Sequence, residues 1–463
     1  MHRYDVLERT TRRALRIAAA CAIALLPSQR ARAQSAVAAD TGSRPIDLQS
    51  AVGIALRQNV SILQSENAVS SNAAIVGSKK GALQPSLSFT TSTGQSVGRS
   101  GSTTTVASSA RSLSTGLSSS FLVFDGMRTV NELRQARLDV TASTSNLART
   151  RQTVVFTVAS DYLTLATAQG QLAVQRENLT VQQAQEAQLQ KLVKAGAKSI
   201  SDLYTQQSNT ENARANVVLA ERDVELAKIA IIQTLQLDPR RSYDFVVPTE
   251  STVPSDVKHY DLDSLLSRAF AARTDLAAEQ IRVDASVLGI RAAQAGNSPS
   301  LSVTSSYNAS YSSAATSNLA DQLDQSRGGS VSLDVSLPIF DRGSTAATVQ
   351  QARIQKENAR LTLANQRQTV ALEVRRAYLT LESTRLQLSV ALAQQKAADL
   401  AVSTTQARYA VGTSTLLELT QTRANLVQAA TAVVNARNSL AFQDALMPYY
   451  TGELKPGATL LVR

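Results

Sequence analysis

Two hydrophobic periods run through this chain, one of two residues and one of seven. The period of two appears in four places. Leu87, Phe89, Thr91 and Thr93 alternate with Ser86, Ser88, Thr90 and Ser92. Leu113, Thr115, Leu117, Ser119, Phe121 and Val123 alternate with small or polar residues as far as Ser120. Leu301, Val303, Ser305, Tyr307, Ala309 and Tyr311 alternate with Ser300, Ser302, Thr304, Ser306, Asn308 and Ser310. Val331, Leu333, Val335 and Leu337 alternate with Ser330, Ser332, Asp334 and Ser336. Successive side chains of a strand point to opposite faces, so the pattern predicts strands near 86–93, 113–124, 300–311 and 330–340, each mainly apolar on one face and hydroxylic on the other. The segments between them, 94–112 and 312–329, are rich in Gly and small polar residues and read as exposed loops.

The period of seven follows each strand pair. Leu133, Val140, Leu147 and Val154 are spaced by seven, the pattern slips by four to Val158, and it resumes at Leu165, Leu172 and Leu179. Further on, Leu363 and Val370 are followed after the same slip by Val374, Leu381 and Leu388, then by Gln395 as a polar interruption, then by Val402. A four-residue insertion in a heptad pattern locally unwinds a left-handed coiled coil. No proline lies between Pro85 and Pro239 or between Pro338 and Pro448. Proline breaks helix interiors, so its absence permits helices over 127–194 and 344–410, each about 100 Å long at 1.5 Å per residue. Return helices over 200–237 and 415–447 carry their own heptads, Leu203, Val217, Val224 and Ile231 answering Leu419, Val433, Leu440 and Met447.

These elements form one design written twice. Asp47-Leu48 recurs as Asp261-Leu262, and Pro85-Ser86-Leu87-Ser88 as Pro299-Ser300-Leu301-Ser302, both displaced by 214 residues. Phe124-Asp125 recurs as Phe340-Asp341, Tyr162-Leu163-Thr164-Leu165 as Tyr378-Leu379-Thr380-Leu381, and Gly196 as Gly412, all displaced by 216. A near-constant offset over this distance signals an internal duplication. The domains expected are repeat 1 over 46–237, an irregular belt over 238–260 with Pro239, Pro248 and Pro254, repeat 2 over 261–448 and a tail over 449–463.

Composition adds an address. The first residues carry Arg3, Arg9, Arg12, Arg13 and Arg16, a short apolar run over 17–26 and Ala31-Arg32-Ala33, the layout of a signal peptide over 1–33 cleaved before Gln34. Thr11-Arg12-Arg13 resembles a twin-arginine signal and Ala19-Ala20-Cys21 a lipobox, but little apolar sequence precedes Cys21, so no acyl chain is expected. Removing 1–33 lowers the formal net charge from +11 to +6 and takes away the only cysteine. The remaining charges are dispersed along the helices, which argues against nucleic acid as a partner. An exported chain without cysteine suits an oxidising compartment and has no thiol chemistry. The mature sequence retains one histidine, His259, and shows no Gly-rich phosphate loop, metal-ligand cluster or nucleophile elbow. No enzyme activity, cofactor or metal is expected.

Four strands cannot close a barrel, and lipid does not tolerate open sheet edges, so several copies must share one. Here the sequence resembles the TolC-like outer-membrane efflux family. The resemblance rests on Asp47-Leu48 with Ala55-Leu56, on Pro85-Ser86-Leu87, on Leu337-Pro338-Ile339-Phe340-Asp341 and on Arg408-Tyr409-Ala410-Val411-Gly412-Thr413, in duplicated order over residues 45–450. It implies an α+β membrane protein: a homotrimer whose 12-stranded β-barrel, four strands per chain, sits in outer-membrane lipid and continues into a coiled-coil α-helical periplasmic tunnel. It also implies a periplasmic adaptor protein and an inner-membrane transporter (RND, ABC or MFS type) as partners. A periplasmic coiled-coil adaptor would share the heptads and hairpins but not four amphipathic strands.

Regulation in such a duct belongs at the hairpin tips. Gly196 and Gly412 fall where a long helix reverses, and read as left-handed caps. By resemblance, Tyr409 and Asp202 match a tyrosine–aspartate hydrogen bond that holds the family's tip closed. Ser414 stands where the family has an assisting arginine. Glu418 matches an acidic ring at the constriction, which should favour cations, while Gln421 replaces a second. Asp202 also lies near Ser199 and Ser201, at a helix N-terminus that favours negative charge in its own right.

Overall fold

The computed structural model describes residues 45–99, 107–247 and 259–455. Residues 1–44, which include the expected signal peptide, the first-loop residues 100–106, most of the Pro-rich stretch of the belt and the end of the tail lie outside the described residues. Everything described belongs to one compact unit.

Each repeat opens with a short amphipathic helix set by an aspartate. In α1 (Leu48–Gln58), Asp47 accepts from the Ser50 amide at 3.1 Å, and Ala51, Val52 and Ala55 turn inward. A second helix, α2 (Val60–Gly81), leads to the strands β1 (Ser86–Arg99) and β2 (Ala107–Phe124). Then come the long α3 (Arg128–Lys194) and its return α4 (Ile200–Leu235). Repeat 2 matches this order with α5 (Leu262–Ala272), α6 (Thr274–Gln294), β3 (Ser300–Ser312), a short α7 (Leu319–Gln325), β4 (Gly328–Ser336), the long α8 (Ser344–Ala410) and α9 (Leu416–Tyr450). Asp261 caps α5 as Asp47 caps α1, accepting from the Ser264 amide at 2.8 Å.

The recurring Phe-Asp pair has a physical role. It marks the corner where a strand becomes a long helix. Asp125 accepts from the Thr129 amide at 2.9 Å, and Asp341 from the Thr345 amide at 2.7 Å, so each carboxylate satisfies a free N–H of the first helical turn. The chain turns there through left-handed residues, Gly126 and Met127 in one corner and Arg342 and Gly343 in the other.

The four strands form one antiparallel sheet in the order β1-β2-β3-β4, with β1 and β4 as its edges. Across it, Phe89 pairs with Leu117, Leu117 with Tyr307, and Val303 with both Phe121 and Leu333. The opposite face is a ladder of hydroxyls: Ser88 bonds Ser118 at 2.8 Å, Ser92 bonds Ser114 at 2.7 Å, and Ser306 bonds Ser330 at 3.0 Å.

The expected heptad seam is the helical core. Leu147, Val154, Val158 and Leu165 are buried with Val224, Ile231 and Leu235; Val370, Val374, Leu381 and Leu388 are buried with Val433, Leu440 and Met447. The two hairpins, α3–α4 and α8–α9, meet through α3 and α9.

Several expected boundaries move. β1 and β2 run well past 93 and start before 113, because backbone pairing continues through Gly94 to Arg99 where the side chains are too small and polar to show alternation. β4 stops at Ser336, before Pro338, and Ile339 and Phe340 stand exposed at the corner. The second loop is not wholly irregular: Asn318 caps α7 by accepting from the Asp321 amide at 2.9 Å. Pro448 does not end its helix, which continues to Tyr450; the Pro448 carbonyl then accepts from the Glu453 amide at 2.8 Å. Nor is the start of the tail free. Leu454 is buried, and Gln152 donates to the carbonyls of Gly452 and Leu454 at 3.0 Å.

Candidate functional site: the hairpin tips and the barrel wall

At each tip the long helix must stop and reverse. Gly196 has φ +72° and Gly412 φ +81°, a region that a Cβ disfavours. The Ala197 amide donates back to the Leu192 carbonyl at 2.9 Å and the Thr413 amide to the Arg408 carbonyl at 2.9 Å, the long bond of a Schellman motif in both repeats. Nothing lies within 4 Å of a Cβ built on either glycine, so backbone conformation alone selects them. The return helices start at Ser199 and Thr415, whose hydroxyls accept from the amides of Ser201 and Glu418.

The tips of the two hairpins are fastened by a small apolar plug. Leu189 on α3, Tyr409 on α8 and Leu416 and Leu419 on α9 are buried together, with Leu203 of α4 packed against them. Sequence reasoning placed Tyr409 here but missed Leu189 and Lys198. The Lys198 ammonium lies 4.2 Å from the centre of the Tyr409 ring, in the turn of the neighbouring hairpin. Within one chain the expected latch is not made. The Tyr409 hydroxyl is buried and makes no hydrogen bond, so the bond to Asp202 is not formed within the chain. Asp202 acts on Tyr409 only through its charge: burial first, and that carboxylate second, push the phenol's pKa up.

Glu418 is not a free carboxylate either. It accepts from the Ser414 hydroxyl at 2.5 Å and faces the Arg408 guanidinium at 3.4 Å. Ser414 thus holds an acid in its own hairpin, and Arg408 partly neutralises it.

Behind the plug lies a polar layer that the heptads do not announce. Gln182, Gln185, Gln206, Thr210, Thr405 and Arg423 are all buried. Gln206 donates to the Gln182 side chain at 2.7 Å. Arg423 reaches the side-chain oxygens of Gln185 and Gln406 at 3.3 and 3.4 Å, its Nε has no partner, and burial lowers its pKa. A buried cation beside carboxamides alone weakens the bundle where it occurs. Beside this layer runs a groove of about 520 Å³ between α3, α4 and α9, lined largely by side-chain amides such as Asn178, Asn209, Asn212 and Gln428.

At the other end is the sheet. Leu87, Phe89, Val331, Leu333 and Val335 of its apolar face are exposed, Leu333 by 66%. No helix among the described residues is long and apolar enough to cross a membrane. A face of this kind, backed by hydroxyls and continued by helices about 100 Å long, fits lipid on one side and water on the other. No group of three or more potential metal ligands occurs among the described residues.

Sheet and hairpins together define a class: outer-membrane channel proteins that carry their duct into the periplasm. Comparison with known proteins agrees. The outer membrane efflux protein family matches over residues 51–235 and 265–445, and the chain belongs to that family. The outer membrane efflux protein BepC of Brucella suis is 22% identical over 349 residues, 73% of this chain and 72% of that protein. The outer membrane protein TolC of Escherichia coli is 25% identical over 329 residues, 69% of this chain but 65% of TolC. Among solved structures, CusC superposes with a TM-score of 0.76 at 20% identity, over 88% of this chain and 92% of that one. The Campylobacter jejuni CmeC outer membrane channel superposes with a TM-score of 0.73, also at 20% identity, over 89% and 87%. The fold is that of the trimeric channels of this family, with the four-stranded sheet as one third of the barrel and the hairpins as the wall of the tunnel.

Proposed function

We propose that this outer-membrane efflux channel is the exit duct of a tripartite efflux or type I secretion assembly. In this reading a periplasmic adaptor joins it to an inner-membrane transporter, and solutes pass from that transporter through tunnel and barrel to the outside. The observation that carries it is the pairing of a lipid-compatible sheet with paired hairpins long enough to bridge an aqueous compartment. The chain needs no catalytic group, since the inner-membrane partner supplies the energy. The gate is the tip: the plug around Tyr409, clasped by Lys198 and biased by Asp202, with Glu418 and Arg408 beside it setting charge.

The test is complementation. Deleting the gene should sensitise cells to at least one exported solute, and the intact gene should restore resistance. Purified protein should be retained by an immobilised adaptor from the same cell. Retention lost on deleting residues 186–204 would support docking at the tip. An unchanged solute profile together with no adaptor retention would overturn the assembly.

A further inference from the structure

A second heptad stripe runs along α8 on the side away from its buried seam. Ile354 and Leu361 are seven apart, eleven residues separate Leu361 from Leu372, and Leu379, Leu386 and Leu400 follow in the same register. The jump of eleven is a heptad plus the four-residue slip of the buried seam. All six are exposed. On α4, Val218, Leu219, Leu226 and Ile229 are exposed as well. Large apolar residues in coiled-coil register on two helices mark an interface that one chain leaves open.

The duplication says what covers it. The two repeats are related at the level of pairing, not only of sequence. Leu87 pairs with Ser119 in the first hairpin and Leu301 with Val335 in the second, the same pair displaced by 214 on one strand and 216 on the other. Within the chain, repeat 1 joins repeat 2 through β2 against β3 and α3 against α9. The same displacements carry that junction onto β4 against β1, and α8 against α4, of another copy. Two observed contacts fix the helical register. The rings of Phe156 and Phe442 are 5.7 Å apart, and a Cβ on Gly170 would stand 2.6 Å from Val434. Displaced, they become Leu372 against Leu226 and Leu386 against Val218 of the next copy. Each of the four is large, apolar and more than half exposed: 54%, 55%, 66% and 59%.

We propose that successive copies of this chain assemble through α8 and α4 in this register. Leu372 meets Leu226 of the next copy, Leu386 meets its Val218, and Leu333 on β4 lies opposite its Thr93 on β1. The inference rests on the trimeric channel reading and adds to it the residues that join one copy to the next. The two seams then differ in chemistry. The seam within the chain carries Gly170, a 2.8 Å bond between Gln171 and Asn435, and a 3.3 Å bond between Asn438 and Thr167, whereas leucine and valine dominate the seam between copies.

The test is disulfide trapping in the mature full-length protein, whose only natural cysteine, Cys21, lies in the expected signal peptide. Leu386→Cys with Val218→Cys, and Leu372→Cys with Leu226→Cys, should each give a covalent trimer on oxidation. Leu386→Cys with Tyr204→Cys, two heptads out of register, should not. As an independent measure, Leu386→Glu should reduce trimer recovery and added Val218→Lys should restore it. Trapping only in the shifted pair, or failed rescue in a protein that is otherwise trimeric, would overturn the register while leaving the channel reading intact. Absence of any trimer in wild-type outer membranes would overturn both.

Discussion

Tyr409 shows what a residue match can and cannot carry. The sequence placed it beside the capping Gly412, and the structure puts it in the plug between hairpins. Its hydroxyl has no hydrogen-bond partner, however, and its neighbour of consequence is Lys198, which no spacing rule picks out because it comes from the other repeat. Tyr409→Phe should therefore leave the resting conductance in planar bilayers close to that of the wild type, since it removes an unused hydroxyl and keeps the ring. Lys198→Gln should raise it. A cation over an aromatic ring contributes about 0.5–1 kcal/mol, and three copies together shift the closed–open balance roughly tenfold or more. A large effect of Tyr409→Phe with none for Lys198→Gln would restore the hydrogen-bonded latch. The acid at the tip follows the same logic. Arg408 faces Glu418 at 3.4 Å, so Arg408→Gln should increase cation preference and Glu418→Gln should reduce it, read as opposite changes in reversal potential under a salt gradient. Changes of the same sign would remove Glu418 from the ion path.

The elements were legible in proportion to the size of their side chains. Heptad residues from Leu147 to Leu165 and from Val370 to Leu388 mark the seams because each buries a large apolar group, whereas Val140, Leu179 and Val402 are only half-buried. The outer ends of β1 and β2 were missed because glycine, serine and glutamine carry no hydropathy there, although their backbones still pair. Pro448 reads as a stop, yet the helix runs two residues past it, to Tyr450. The second stripe on α8 lies outside the core of a single chain, where its leucines are exposed, and so gives no core signal. Where alternation was strong it predicts consequences. Leu333 belongs to the apolar face, while Ser332 lies among the hydroxyls opposite Thr304. Leu333→Arg should disfavour membrane insertion by ~2–4 kcal/mol if its depth is near the bilayer midplane, whereas Ser332→Arg should be tolerated in a water-filled lumen. Recovery of heat-resistant trimers from outer membranes compares them, and equal recovery would mean the two faces have been exchanged.

At the scale of the whole molecule, a duplicated half supplies strands at one end and a hairpin at the other. The plug and the polar layer of Arg423 divide the helical end into a fastened tip, a weak layer and a continuous apolar core. On the proposed reading, such an order would let the tip loosen without unfolding the tunnel above it. The claim that joins these parts is that the protein is a lipid-embedded pore closed at its tip. Single-channel recording of the purified trimer in planar bilayers tests it most directly. The account predicts insertion giving small, discrete, cation-preferring steps, which grow when Lys198→Gln loosens the plug. Trimers that insert but pass no current, or a protein recovered only as a soluble monomer that never inserts, would contradict it.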